Sequence, residues 1–192
     1  MVPQDDDEET TLDKTSILRL VASLQEDLNS MANIKEDGDA VFDREDAEDD
    51  EATKTVCLLW DLAGNTSLAV LMQTVGLGEV LASIIAQHET RPYRLVEVSL
   101  GALANMALSS HVRREMALNA SVVKAPFLTV LSNPDAACLR EACRLLHATT
   151  ADVDLNPNPW REDLCDEPVL NQLLCFLMNA LDEVLLQSPF LS

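Results

Sequence analysis

The stretch ALANMALSSHVRREM, residues 102–116, lies over LLWDLAGNTSLAVLM, residues 58–72, when the chain is shifted on itself by 44. Leu59 then meets Leu103, Leu62 meets Met106, Ala63 meets Ala107, Leu68 meets Val112 and Met72 meets Met116. The same shift lays LVEVSLGAL (95–103) over LREACRLLH (139–147), and VLASII (80–85) falls on PFLTVL (126–131) with a slip of one or two residues. Leu and Ala are common, so each match is soft; the constant period is the signal. A unit of about 44 residues is the size of a two- or three-helix repeat that buries its apolar face only against its neighbours.

Composition supports helices. Of 192 residues, 47% are hydrophobic and only 4% aromatic, so the core must be Leu, Val, Ala and Met. Small and unbranched side chains suit helix-on-helix packing, and alternating β-branched runs are scarce. Breaks at Asn65, Gly76–Gly78, Pro92, Asn119 and Asn133–Pro134 divide the chain beyond residue 55 into helices near 55–63, 66–75, 78–88, 92–108, 111–118, 121–132, 134–150 and 166–187. Upstream, Ile17, Val21, Leu24, Leu28 and Met31 recur at helical spacing, an amphipathic helix over 15–33 capped by Thr15 or Ser16. It docks on the body or on a partner. The expected organisation is an acidic disordered tail (1–14), that helix (15–33), an acidic disordered linker (34–54) and a helical repeat domain (55–192). The fold class is all-α, an armadillo/HEAT-like right-handed solenoid of two to three repeats.

The net charge of −20 is concentrated upstream: residues 1–55 hold 18 acids and 5 bases. Residues 35–54 alone carry ten acids against three bases, interrupted by Val41 and Phe42 as a small anchor on binding. This balance argues against direct nucleic-acid binding, which needs clustered Lys and Arg, and allows either a basic protein partner or simple solubility. No apolar run reaches the length of a membrane span, and MVPQDDDEET is unlike a signal peptide. Five cysteines, without C-x-x-C, read as reduced core thiols of an intracellular protein.

Polar residues inside the apolar helices mark the candidate site. Asn105 aligns with Asp61 and Thr149 at the repeat spacing. Gly101, Glu97 and Arg94 precede it on the same stripe, and Glu141 and Leu145 occupy the stripe of the next unit. Residues four apart share a helix face, so Asp61, Arg94, Glu97, Asn105, Glu141 and Thr149 form a polar ladder across repeats and are the candidate partner-binding residues. Two readings of Asn105 stay open: its amide faces a partner, or it satisfies a backbone group near the helix end. Gly101 costs about 1 kcal/mol in helix propensity, which a close helix–helix approach would offset.

GALANMA (101–107) resembles the G-x-L-x-N-x-A core of the third helix of armadillo repeats, where the Asn often lines a concave groove and bonds a peptide backbone. More closely, the order of features resembles the serum amyloid A-like family: an N-terminal apolar helix, an acidic tract, LLWDLA, then LVEVSLGALANMA (95–107) and LREACRLLH (139–147). The resemblance covers roughly residues 15–148. It implies an intracellular, nuclear or cytoplasmic, armadillo-type interaction protein linked to proliferation, without catalytic residues. Where the family pattern has an aromatic one turn before the ladder Asn, this chain has Gly101.

Catalytic chemistry is sparse. His88, His111 and His147 lack metal-ligand spacing; Cys143 and His147, four apart, are half a metal site or a thiolate–imidazole pair at most, and core-edge residues otherwise. GLG (76–78) lacks the context of a phosphate loop, and GNTSL is not a nucleophile elbow. No cofactor and no metal are expected. Arg113–Arg114 and Arg140–Arg144 form a basic spot that grips a carboxylate or phosphate, or pairs locally with Glu115, Glu141 or the acidic linker. Trp160, in NPNPW, pins a loop to the core. The Leu-rich segment 166–192 reads as an uncapped array end that invites homo-association. The leading functional expectation is a non-catalytic scaffold or adaptor binding a protein through a concave helical surface. The alternative is an acidic chaperone-like or regulatory binder of basic proteins through residues 35–54.

Overall fold

The computed structural model describes residues 14–34, 50–132, 135–152 and 154–186. The acidic tail, most of the acidic linker with Val41 and Phe42, and the break at 133–134 lie outside them. Among the described residues every regular element is a helix: α1 (Lys14–Ile34), α2 (Glu51–Ala63), α3 (Thr66–Thr74), α4 (Leu77–Ala86), α5 (Tyr93–Met106), α6 (Ser110–Met116), α7 (Ala120–Ser132), α8 (Ala136–Thr150), α9 (Pro159–Leu164) and α10 (Glu167–Leu186).

Local chemistry sets the boundaries. Asp50 caps α2 by accepting from the Thr53 amide, so residues 51–54 belong to the helix and not to the linker. Asn65 caps α3, Asp135 caps α8 and Asn158 caps α9 in the same way. Gly76 opens α4 at φ 81°, a left-handed conformation that glycine adopts without a Cβ clash. Thr15 and Ser16, read as caps of α1, fall one and two residues inside the helix. The short α9 went unread because NPNPW looks like a turn; Pro159 holds the first helical position with its φ preset.

α5 lies between α2 and α8, α4 lies against α7, α7 against α10, and α3 against α6. Hydrogen bonds also join helices that lie about 44 positions apart in the chain. Cys138 Sγ donates to the Tyr93 carbonyl over 45 positions, and Ser132 Oγ lies 2.9 Å from His88 Nε2 over 44. α5 is the centre of the core: every residue from Leu95 to Ala104 is buried. Each Leu buried there contributes roughly 1.5–3 kcal/mol.

α1 docks on the chain's own body, with Ile17, Val21, Leu24 and Leu28 buried against α2 and α3. Trp160 is fully buried and holds the α8–α9 loop onto α7. α10 presents a mixed picture. Val169 is buried and Leu173 and Phe176 pack on the core, while Leu170, Leu174, Leu177 and Met178 stand exposed.

The thiols depart from the reading as core residues. Cys138 is buried and Cys57 half-buried, but Cys143, Cys165 and Cys175 are exposed; none of the five is in a disulfide among the described residues. Among the described residues no single helix is long and apolar enough to cross a membrane. The bent pair α3–α4 has the required apolar length, and its Ala69, Met72, Leu77, Leu81, Ile84 and Ile85 are buried in the core.

Candidate functional site

α2, α5 and α8 bring together a continuous chain of polar side chains. It starts on the first turn of α5, where Arg94 Nη1 lies 2.7 Å from Glu97 Oε2. The other oxygen of Glu97 lies 3.2 Å from Arg140 Nη2 of α8. Arg140 Nε continues to Glu141 Oε1 at 3.3 Å, and Glu141 Oε2 sits 2.8 Å from Arg144 Nη1. That last contact is an ion pair rather than a well-directed hydrogen bond. Arg144 Nη2 then donates to Asn105 Oδ1 at 2.6 Å and to the Gly101 carbonyl at 3.1 Å. Finally, Asn105 Nδ2 donates to the Trp60 carbonyl of α2 at 3.0 Å.

Trp60 completes the arrangement. A Cβ on Gly101 would lie 2.7 Å from Trp60 Cε2, so the indole rests directly on the glycine. The guanidinium groups of Arg94 and Arg144 stand over the same ring, 6.0 and 5.8 Å from its centroid, within cation–π range. The propensity lost at Gly101 is therefore exchanged for a close aromatic contact between α2 and α5.

Four of the expected ladder residues meet here: Arg94, Glu97, Asn105 and Glu141. Of the two readings of Asn105, the structure shows the one in which its amide satisfies a backbone group, the Trp60 carbonyl. The amide serves the next helix on each side, giving a hydrogen to α2 and accepting one from α8. Asp61 is exposed on α2, one residue past Trp60. Thr149 is elsewhere: it is buried, its hydroxyl donates to Leu145 and Leu146 carbonyls of its own helix, and its carbonyl accepts from Asn158 Nδ2. Trp60, Arg140 and Arg144 belong to the site and were missing from the ladder. The signal for them was present in LLWDLA and in the one-turn spacing of the two arginines.

A second polar cluster stabilises the far end of α5. Arg113 Nη1 donates to the Ala107 and Leu108 carbonyls at 2.6 and 3.2 Å, and Arg113 Nε donates to Asp152 Oδ2 at 2.9 Å. The hydrogen bond from Arg113, more than any other effect, holds the Asp152 carboxyl below the usual carboxylate range. Arg114 lies 3.7 Å from Asp154. The basic spot thus pairs within the chain, with Glu97, Glu141, Asp152 and Asp154 as the acids, and Glu115 takes no part in these ion pairs.

Cys143 reaches the surface, yet the helix packing around it removes enough water to push its thiol up from the ordinary value. No group of three or more His, Cys, Asp or Glu placed to hold a metal ion occurs among the described residues.

No family model matches the chain, and no solved structure matches it. Two relatives do. Protein saal1 of Danio rerio is 29% identical over 131 residues, covering 68% of this chain and 27% of that protein. Protein saal1 of Xenopus tropicalis is 25% identical over 166 residues, covering 86% of this chain and 34% of that protein. The chain spans about a third or less of the length of these curated relatives. It is a distant homologue of the saal1 proteins, which supports the serum amyloid A-like family as its kin.

Proposed function

We propose that this chain is an armadillo-type right-handed solenoid of the serum amyloid A-like family, acting inside the cell, in nucleus or cytoplasm, as a non-catalytic scaffold or adaptor. It binds a protein segment along the concave face formed by α2, α5 and α8. The carrying observation is the row from Arg94 to Trp60, in which groups from α2, α5 and α8 are locked to one another while the Arg94, Arg140 and Arg144 side chains reach the surface. A row held by its own ion pairs and hydrogen bonds is preorganised, so a partner docks without ordering it first. Self-association through the exposed leucines of α10 is a further part of this reading, and light scattering across a concentration series tests it; a strict monomer excludes it.

The docking face is tested with the double variant Asp61→Lys/Arg140→Glu, whose changes fall on exposed positions. Circular dichroism is expected to show an intact fold, while protein partners captured by the wild type are lost. Full retention of every partner by the folded variant would sink the proposal. A second reading, regulation of basic proteins through residues 35–54, is favoured by the ten acids in that stretch. It predicts partner binding that falls steeply with salt and disappears when 35–49 is made neutral.

A further inference from the structure

We infer that the segment docking at this face is acidic, with carboxylate side chains received by Arg140 and Arg144 of α8. The inference rests on the docking reading above and narrows it to one class of partner, an extended protein segment bearing Asp or Glu at alternate positions.

The row is polarised. Its carboxylates face inward, the Glu97 and Glu141 side chains being 11% and 5% exposed. Its arginine side chains reach the surface, with Arg94 46%, Arg140 66% and Arg144 42% exposed. All four carboxylate oxygens are already within 3.3 Å of an arginine nitrogen. The anions therefore have little left to offer a ligand. A guanidinium carries five N–H donors, and Arg140 reaches Glu97 and Glu141 with Nη2 and Nε alone. A ligand arriving at α8 meets donors and positive potential, on a chain whose net charge is −20. A basic segment finds no carboxylate there to pair with. Asp61, an exposed acid, sits on α2, separated from α8 by α5.

Spacing adds a second constraint. Arg140 and Arg144 are one helical turn apart, with Cβ atoms about 5–6 Å from each other. Alternate side chains on one face of an extended segment are roughly 6.6–6.8 Å apart. An extended segment with acids at alternate positions therefore meets the two arginines in order. Arg144 is fixed in advance by Asn105 and the Gly101 carbonyl, so binding costs it little side-chain entropy. Paired charge-assisted hydrogen bonds to carboxylate supply specificity.

Fluorescein-labelled octapeptides with Glu, Gln or Lys alternating with Ser test this by anisotropy on the full chain. A second form of the chain, with the acids of 36–49 changed to Asn or Gln, removes competition from the chain's own acidic stretch. The Glu peptide is expected to bind tighter than the other two to at least one of these forms. Arg140→Gln, at an exposed position, is expected to weaken it about tenfold, the loss of one charged hydrogen-bonding partner. The inference is overturned if the Glu peptide has no advantage on either form, or if its affinity is unchanged in Arg140→Gln. Failure of the two readings is distinguishable. A Gln or Lys peptide that binds best and is lost in Asp61→Lys/Arg140→Glu leaves the docking face standing and removes only the acidic partner; protein partners that survive the double variant remove the docking face itself.

Discussion

α5 and α10 are both apolar helices, yet one is the centre of the core and the other is half uncovered. Leu95 to Ala104 are all buried, because α2 covers one flank of α5 and α8 the other. α10 rests on α7 and α9, and Leu170, Leu174, Leu177 and Met178 remain exposed. The contrast teaches that an apolar sequence specifies a need for neighbours, while position in the stack specifies how many it has. It also explains where the polar chain could form. Only a helix with a neighbour on each side can hold an amide such as Asn105 that bonds in two directions.

The strongest way to break this comparison is to cut equal side chains from the two helices. Leu103→Ala is expected to destabilise by about 2–5 kcal/mol, since Leu103 is fully buried and leaves a cavity. Leu174→Ala, at a position 53% exposed, is expected to stay within about 0.5 kcal/mol of wild type. Urea midpoints measure both, and equal losses would show that α10 is covered in solution. Asn105→Ala removes two hydrogen bonds, one from a charged donor, and is expected to cost about 1–3 kcal/mol in the same assay. A neutral result would mean that the amide does not tie the units together.

Gly101→Ala sharpens the point on a finer scale. Alanine improves helix propensity by about 1 kcal/mol, but its Cβ meets Trp60 at 2.7 Å and overpacking costs about 1–3 kcal/mol. The net expectation is a loss of about 1 kcal/mol. With Trp60→Ala in the background, the same change should stabilise instead, and thermal melts of the four proteins would show the reversal. The mildest effect concerns the far end of α5. Arg113 lowers the Asp152 pKa in the folded state, so this pair contributes fully above the unfolded carboxylate value of about 3.9 and loses its contribution as pH falls through the lower folded value. Acid titration of stability is expected to be flatter in Asp152→Asn below about pH 4; an unchanged profile would discard the pair as a contributor.

Much of the architecture was legible in the chain itself. The helical periodicities and caps placed eight of the helices beyond residue 50 to within a few residues, and the segments aligned by the 44-residue shift fall on α2, α5 and α8, which lie side by side. The site was legible only as a row of positions. Alignment put Asn105 beside Asp61 and Thr149, but its bonds run to Trp60 and Arg144, 45 and 39 positions away. A long arginine reaches diagonally across a helix contact, and a backbone carbonyl leaves no mark in a sequence pattern. Thr149 was misplaced for a related reason: a threonine at the end of a helix bonds back to its own turn as readily as across a groove.

What the sequence alone determined is what acts over a few residues: helix type, caps and the breaks between helices, together with a period that repeats them. Tertiary structure alone decided which way the polar groups point. Glu97 and Glu141 were two more charged residues on helix stripes until neighbouring helices buried them against arginines whose side chains reach the surface. The fate of a charge depends on what packs over it from some forty residues away. No local pattern reaches that far.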